Sequence, residues 1–131
     1  MADYQTKMPE KNFKHTLSVI IPVYNEEKTI LKLIDKVRNV KIKGVNKEII
    51  VVDDYSSDGT RDVLKRLKDK SIKSVFHNKN WGKGKALKTG ISSSSGDFII
   101  FQDADFERMR PHSAHKFMSP NTPSIFIILI L

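Results

Sequence analysis

The sequence predicts an α/β fold: a mainly parallel sheet with helices on its faces. Three observations point to it. Apolar, β-rich runs recur at 17–23 (LSVIIPV), 48–53 (EIIVVD) and 98–101 (FIIF), as in strands buried on both faces. Segments of helical period lie between them. The resulting order, β-α-β-α-β-α-β, is the alternation that parallel sheets show.

Residues 1–15 are polar and aperiodic and are expected to be a flexible lead-in. The first strand, 17–23, carries Pro22 near its end, where a lost backbone donor does least harm. Tyr24 and Asn25 turn the chain. Glu26 and Glu27 then suit the first turn of a helix, where carboxylates complement the dipole. Ile30, Leu33, Ile34 and Val37 follow at i, i+3, i+4, i+7, an amphipathic helical spacing. Residues 40–46 read as a loop. The strand 48–53 ends on Asp53 and Asp54, and Ser57 or Asp58 is placed to cap a second helix over 61–70, with Val63, Leu64 and Leu67 inward. A short strand at 74–77, a loop at 78–84 and a third helix at 85–95 lead to Gly96 and Asp97, which suit a turn before the last strand.

That last strand runs into Gln102, Asp103, Ala104, Asp105 and Glu107. Three carboxylates in five residues form either a solvated acidic turn or a cation site. Asp103 and Asp105, two apart, point the same way in an extended strand end. Hard carboxylate oxygens suit Mg²⁺ or Mn²⁺, ions that commonly bridge protein carboxylates to phosphates. Right-handed crossovers bring this end to the same rim as the 24–26 turn and Asp53–Asp54, the rim where open α/β sheets take ligands.

A chain of 131 residues is about one domain. Its formal charge of +8 attracts nucleic acid, anionic lipid or phosphorylated ligands without choosing among them. The absence of cysteine excludes disulfides and thiolate metal sites and fits a reducing compartment. No apolar segment marks a signal peptide near the start. The longest apolar run, 125–131, is seven residues, against about twenty for a membrane span.

Three stretches, SVIIPVYNEE, EIIVVDDYSSDGT and NWGKGKALKTGI…GDFIIFQDADFE, together resemble the nucleotide-sugar-binding half of family-2 glycosyltransferases. Within that family they are most similar to the dolichyl- or polyprenyl-phosphate sugar synthases, of the dolichol-phosphate mannosyltransferase type. The resemblance implies a GT-A fold, a Rossmann-like three-layer sandwich, over residues 16–107. It implies a nucleoside-diphosphate sugar as donor and a polyprenyl or dolichyl phosphate as acceptor. Pro22, Tyr24 and Glu26 would line the nucleotide pocket, and Val52 and Asp54 would contact base or ribose. Asp103, Ala104 and Asp105 would form the family's DxD site. There Asp105 is the firmest metal ligand, Asp103 is shared between metal and ribose, and Glu107 is a third ligand. The expected location is cytoplasmic, with the lipid acceptor placing the chain at the cytosolic face of a membrane.

The family usually has Gly where this chain has Tyr55, which allows positive φ and close ligand approach. Its acceptor-binding elements beyond the DxD strand, with their acidic general base, have no counterpart here. Residues 108–115 lack periodicity, 119–123 are turn-like and 125–131 form a bare apolar run; together 108–131 make up an atypical tail. They are read as a tail not native to the fold of a truncated chain, or else as an edge strand closing a minimal domain. A polyprenyl phosphate oxygen is already anionic and needs little deprotonation.

Gly82-Lys83-Gly84-Lys85 lacks the spacing of a nucleoside-triphosphatase loop. Its glycines serve backbone contact with a diphosphate or close packing of helix on sheet. His15, His77, His112 and His115 read as surface histidines, and Trp81 as a packing or loop anchor. Two alternatives to a transferase remain, a non-catalytic nucleotide-sugar or metal-binding module and a basic nucleic-acid-binding domain. The second ranks last, since the lysines are dispersed and no nucleic-acid motif is present.

Overall fold

The computed structural model describes residues 14–104 and 127–129. β1 (His15–Val23), β2 (Val45–Asp53), β3 (Ile72–Phe76), β4 (Phe98–Phe101) and β5 (Ile127–Leu129) form one sheet in the order β3-β2-β1-β4-β5. Every pairing in it is parallel. Apart from β5, the expected tail 108–131 lies outside the described residues.

Because β1 is central, its two faces feed two cores. Val19, Ile21 and Val23 join Ile49, Val51 and Ile100 under Ile30, Leu33 and Ile34 of α1 (Ile30–Asn39) and Leu64 of α2 (Thr60–Lys65). On the other face Ile20, Ile50, Val52 and Ile99 pack against Ala86 of α3 (Lys83–Ser93). Each fully buried isoleucine contributes about 2 kcal/mol of apolar transfer energy. Gly90 lets α3 approach the sheet: an added Cβ would stand 2.3 Å from Ile20 Cγ2.

The chain moves outward from β1 through α1 to β2 and through α2 to β3, then crosses back through α3 to β4 on the far side of β1. The strand order therefore reverses between β1 and β4. Pro22 sits where its missing N–H costs nothing. Ile20 O accepts from Gln102 N on the β4 side. Strand alternation turns residue 22 to that same side, and the β1–β4 register ends at Ile20↔Phe101.

The element boundaries depart from the sequence reading for tertiary reasons. Glu26 and Glu27 precede α1 rather than opening it, because the 24–29 segment is bonded to the β2–α2 loop: Glu26 N donates to Thr60 Oγ1 (2.9 Å) and Asn25 N to Ser56 Oγ (2.9 Å). β2 begins at Val45, inside the expected loop, since its register with β1 starts at His15↔Val45. α2 stops at Lys65 and β3 starts at Ile72. Between them Asp69 Oδ1 accepts from Ser71 N and Ser71 Oγ, a local turn that competes with helix. α3 ends at Ser93 because Glu48 captures Ser95 through both its N–H and its hydroxyl.

Candidate functional site

The C-terminal ends of β1, β2 and β4 open onto a cleft of about 220 Å³ at the reversal point, the ligand position of open α/β sheets. Pro22, Val23, Tyr24 and Glu26 line it from the β1 end. Asp54 contributes from the β2 end, Lys83 and Ala86 from α3, and Asp103 and Ala104 from the β4 end. Six residues singled out from the sequence thus meet in one place: Pro22, Tyr24, Glu26, Asp54, Asp103 and Ala104.

Val52 does not join them as a lining group. Its side chain is fully buried in the core beneath α3, since it is an inward position of a strand covered on both faces. Asp105 and Glu107 lie outside the described residues.

The 24–29 segment, which brings Tyr24 and Glu26 to the cleft, and the β2–α2 loop hold each other. Asn25, in the left-handed region at φ 53, accepts at Oδ1 from Ser57 N (2.8 Å) and Asp58 N (3.3 Å). Glu27 Oε2 accepts from Gly59 N (2.9 Å). The N-cap position of α2 falls to Gly59 rather than to the expected Ser57 or Asp58, and Asp58 instead closes a local turn, its Oδ1 accepting from Thr60 N (2.9 Å). Burial pushes the Asp58 carboxyl up, but hydrogen bonds from Thr60 and from Glu27 N outweigh it and hold it below the ordinary range. Glu26 keeps its carboxylate at the cleft by accepting from Thr29 Oγ1 (2.8 Å).

The two adjacent acids at the β2 end have separate duties. Asp53 is fully buried and faces away from the cleft: it accepts from Ser56 N (3.1 Å) and pairs with Arg61 Nε at 3.6 Å. That guanidinium also lies over the rings of Tyr55 (5.5 Å) and Phe76 (5.2 Å). Tyr55 itself is at φ 64, the backbone state that a glycine would take without strain.

Asp54 lines the cleft and holds the β3–α3 loop. Its Oδ1 accepts from Trp81 N (2.8 Å) and its Oδ2 from Gly82 N (2.8 Å). His77 Nδ1 stands 2.9 Å from Oδ1, and His77 Nε2 is 2.8 Å from Thr89 Oγ1. His77 is therefore no surface histidine; it is buried between β2 and α3. The Gly82 amide is spent on Asp54 and is not free for a diphosphate. Neither Gly82 nor Gly84 would bring a Cβ within 4 Å of anything, so close helix–sheet packing belongs to Gly90 instead. Trp81 anchors the loop by its backbone, while its ring is exposed beneath Lys79 Nζ at 4.9 Å.

Lys83, the first residue of α3, reaches across the cleft to Asp103, Nζ to Oδ2 at 2.8 Å. Both side chains remain accessible, so the pair is open to exchange for other ligands. Asp103 is the described member of the expected metal set, and its hard, accessible carboxylate fits Mg²⁺ or Mn²⁺. Among the described residues no group of three His, Asp or Glu could hold an ion.

Lys83, His77 and Thr89 were the functional side chains missed from the sequence. Lys83 had a signal, a basic residue directly after glycine at a strand-to-helix loop. His77 and Thr89 had none, because their contacts join residues 12 and 23 positions apart.

The glycosyl transferase family 2 profile matches residues 18–112. The chain is 34% identical over 95 residues to the undecaprenyl-phosphate 4-deoxy-4-formamido-L-arabinose transferase of Proteus mirabilis. It is 38% identical over 95 residues to that of Yersinia pestis. Each match takes in 70% of this chain and 29% of the relative, so the chain spans less than a third of the length of these proteins. Its fold is similar to a Pyrobaculum calidifontis mannosyltransferase in complex with GDP-Man and Mn²⁺, with TM-score 0.61 and 28% identity over 74% of this chain and 29% of the other. It is likewise similar to S. aureus TarS 1-349 in complex with UDP-GlcNAc, with TM-score 0.62 and 32% identity over 69% and 26%. A third similar structure is the Mycobacterium tuberculosis glucosyl-3-phosphoglycerate synthase with Mn²⁺ and UDP, with TM-score 0.56 and 31% identity over 72% and 35%. The parallel sheet, its reversal point and these matches agree: the chain has a GT-A fold and belongs to glycosyl transferase family 2.

Proposed function

We propose that this chain is the donor-binding part of a glycosyltransferase that moves a sugar from a nucleoside-diphosphate sugar to a polyprenyl or dolichyl phosphate. The observation that carries the reading is the cleft itself. It gathers Tyr24, Glu26, Asp54, Lys83 and Asp103 at the strand-order reversal, and similar structures hold UDP, UDP-GlcNAc or GDP-Man.

In this reading Pro22 and Tyr24 offer a wall for the base, and Glu26 and Asp54 offer acceptors for base or ribose donors. Val52 contributes only through its strand. Asp103, with Asp105 and Glu107, would hold Mg²⁺ or Mn²⁺ at the pyrophosphate. That cation, when bound, offsets the negative charge growing on the leaving nucleoside diphosphate. Lys83 neutralises Asp103 before the donor arrives and can then turn its ammonium to a phosphoryl oxygen, a fixed positive charge where charge develops. A phosphate acceptor is already anionic, so the reaction at this cleft asks for orientation rather than for a strong base.

No helix among the described residues is long and apolar enough to cross a membrane. The cytosolic membrane face is the proposed place of work because the lipid acceptor resides in a bilayer. A second reading is a donor-binding module without turnover, which the same cleft would serve. The test is a thermal-shift screen with UDP-, GDP- and dTDP-sugars, with and without Mn²⁺ or Mg²⁺. A cation-dependent rise for one nucleotide supports donor binding. Release of nucleoside diphosphate on adding polyprenyl phosphate separates transferase from module.

A further inference from the structure

The β3–α3 loop carries Lys83 to the cleft, yet it has little of its own to hold it there. Gly82, at φ 89 and ψ 165, has no side chain to pack. The neighbouring Trp81 ring is exposed. What fixes the loop is the Asp54 carboxylate, gripping two successive amides. A buried carboxylate swings unless its oxygens are held from the other side, and His77 is the group that holds it.

The hydrogen positions on His77 follow from its partners. Ionised Asp54 only accepts, so His77 Nδ1 carries a proton. With the ring neutral, Nε2 accepts from the Thr89 hydroxyl. Thr89 stands on α3, the helix that Lys83 begins. The body of α3 is thus tied through Thr89, His77 and Asp54 to its own entry loop, and through Lys83 to Asp103.

We infer that His77 is a positioning residue for the cleft: it locks the Asp54 carboxylate onto the Trp81 and Gly82 amides and so sets Lys83 opposite Asp103. The consequence for nucleotide affinity rests on the function proposed above; the lock itself does not. His77 touches no lining atom except Asp54 in its described hydrogen bonds, and it acts through that group.

Two variants take the imidazole apart. His77→Asn places an amide N–H near the Nδ1 position and keeps the Asp54 bond while losing Thr89. His77→Gln reaches toward the Nε2 position, keeping Thr89 and losing Asp54. Amide hydrogen exchange of the full chain reads the lock directly. Trp81 and Gly82 amides should stay protected in wild type and Asn variant. They should exchange roughly tenfold faster in the Gln variant, while Ile20 and Ile50 in the sheet stay protected. Trp81 is the sole tryptophan, so its emission reports the same loop. Mn²⁺-dependent affinity for GDP and UDP should fall roughly tenfold with Gln and stay near wild type with Asn.

Unchanged exchange at Trp81 and Gly82 in the Gln variant overturns the inference. So does a loss spread evenly over loop and sheet in both variants, which is the mark of a purely structural histidine. If His77→Gln does not fold, His77→Leu, of similar bulk and without either hydrogen bond, must raise exchange at those two amides while the sheet stays protected, and no rise overturns the inference. If wild type takes up neither nucleotide, the proposed function fails, and the exchange data still decide the lock.

Discussion

The imidazole of His77 stands 2.9 Å from the carboxylate of Asp54, and the two side chains are only 9% and 7% exposed. The acid that the family resemblance assigns to base or ribose already serves two backbone amides and this ring. A carboxylate offers about four lone-pair positions, and three are taken. Asp54 is therefore first a fastener of the cleft, with about one position left for a ligand.

Removing that fastener should cost stability as well as binding. Asp54→Ala leaves the Trp81 and Gly82 amides and His77 without their acceptor. We expect a loss of about 3 kcal/mol, the scale for charge-assisted bonds to buried groups, read as a fall in the urea midpoint with unchanged slope. A loss below about 0.5 kcal/mol, the size of a neutral surface change, contradicts the geometry.

Tyr55 holds a left-handed backbone at φ 64. That state costs a non-glycine residue on the order of 1 kcal/mol, partly offset by the Arg61 guanidinium over its ring. Tyr55→Gly should leave stability equal or raise it by up to about 1 kcal/mol. Tyr55→Val, β-branched and without the ring, should lower it by at least about 1 kcal/mol. Chemical denaturation of the two variants side by side checks the opposite signs.

Two glycines of α3 should answer oppositely to alanine. At Gly90 the new Cβ meets Ile20 Cγ2 at 2.3 Å, an overpacking that costs about 1–3 kcal/mol. At Gly84 the new Cβ meets nothing within 4 Å, so helix propensity should yield a gain of up to about 1 kcal/mol. Equal effects on the unfolding midpoint would mean that α3 does not lie on the sheet as described.

Acid should weaken the fold in a defined window. Asp69 is held down to about 2, by hydrogen bonds from the Ser71 hydroxyl and amide first and by Arg38 next. For Glu48, burial acts upward, and hydrogen bonds from Ser18, Ser95 and Gly96 outweigh it and leave the carboxyl below its ordinary value. A depressed folded pKa stabilises above the unfolded value, 3.8 for Asp and 4.5 for Glu, and that support is lost as pH falls toward the folded value. The urea midpoint should therefore drop from about pH 4.5 to about pH 2. Asp69→Asn should remove the lowest part of that drop. Asp69 is half-buried and still open to solvent, so added salt should shrink its share.

The sequence made the sheet legible because buried parallel strands leave continuous apolar runs, as in Leu17–Val23, and crossover helices leave a stripe such as Ile30, Leu33 and Ile34. Strand ends bearing Tyr24, Asp54 and Asp103 could be assembled on one rim from handedness alone. Helix starts and stops were less legible, because Thr60, Asp69 and Glu48 reset them through hydrogen bonds. A lone histidine carries no periodic signal, so His77 was invisible until β3 and α3 met. Val52 shows the converse limit: a motif position names a residue, while the strand's pleat decides which way its side chain faces.

The most direct test is calorimetric titration of UDP- and GDP-sugars into the wild-type chain and into Asp103→Asn, each with and without Mn²⁺. The account predicts uptake of one donor by wild type that depends on the cation, and its loss in Asp103→Asn with cooperative unfolding intact. Cooperatively folded wild type that binds neither donor, or an Asn variant that binds as well as wild type, would contradict it.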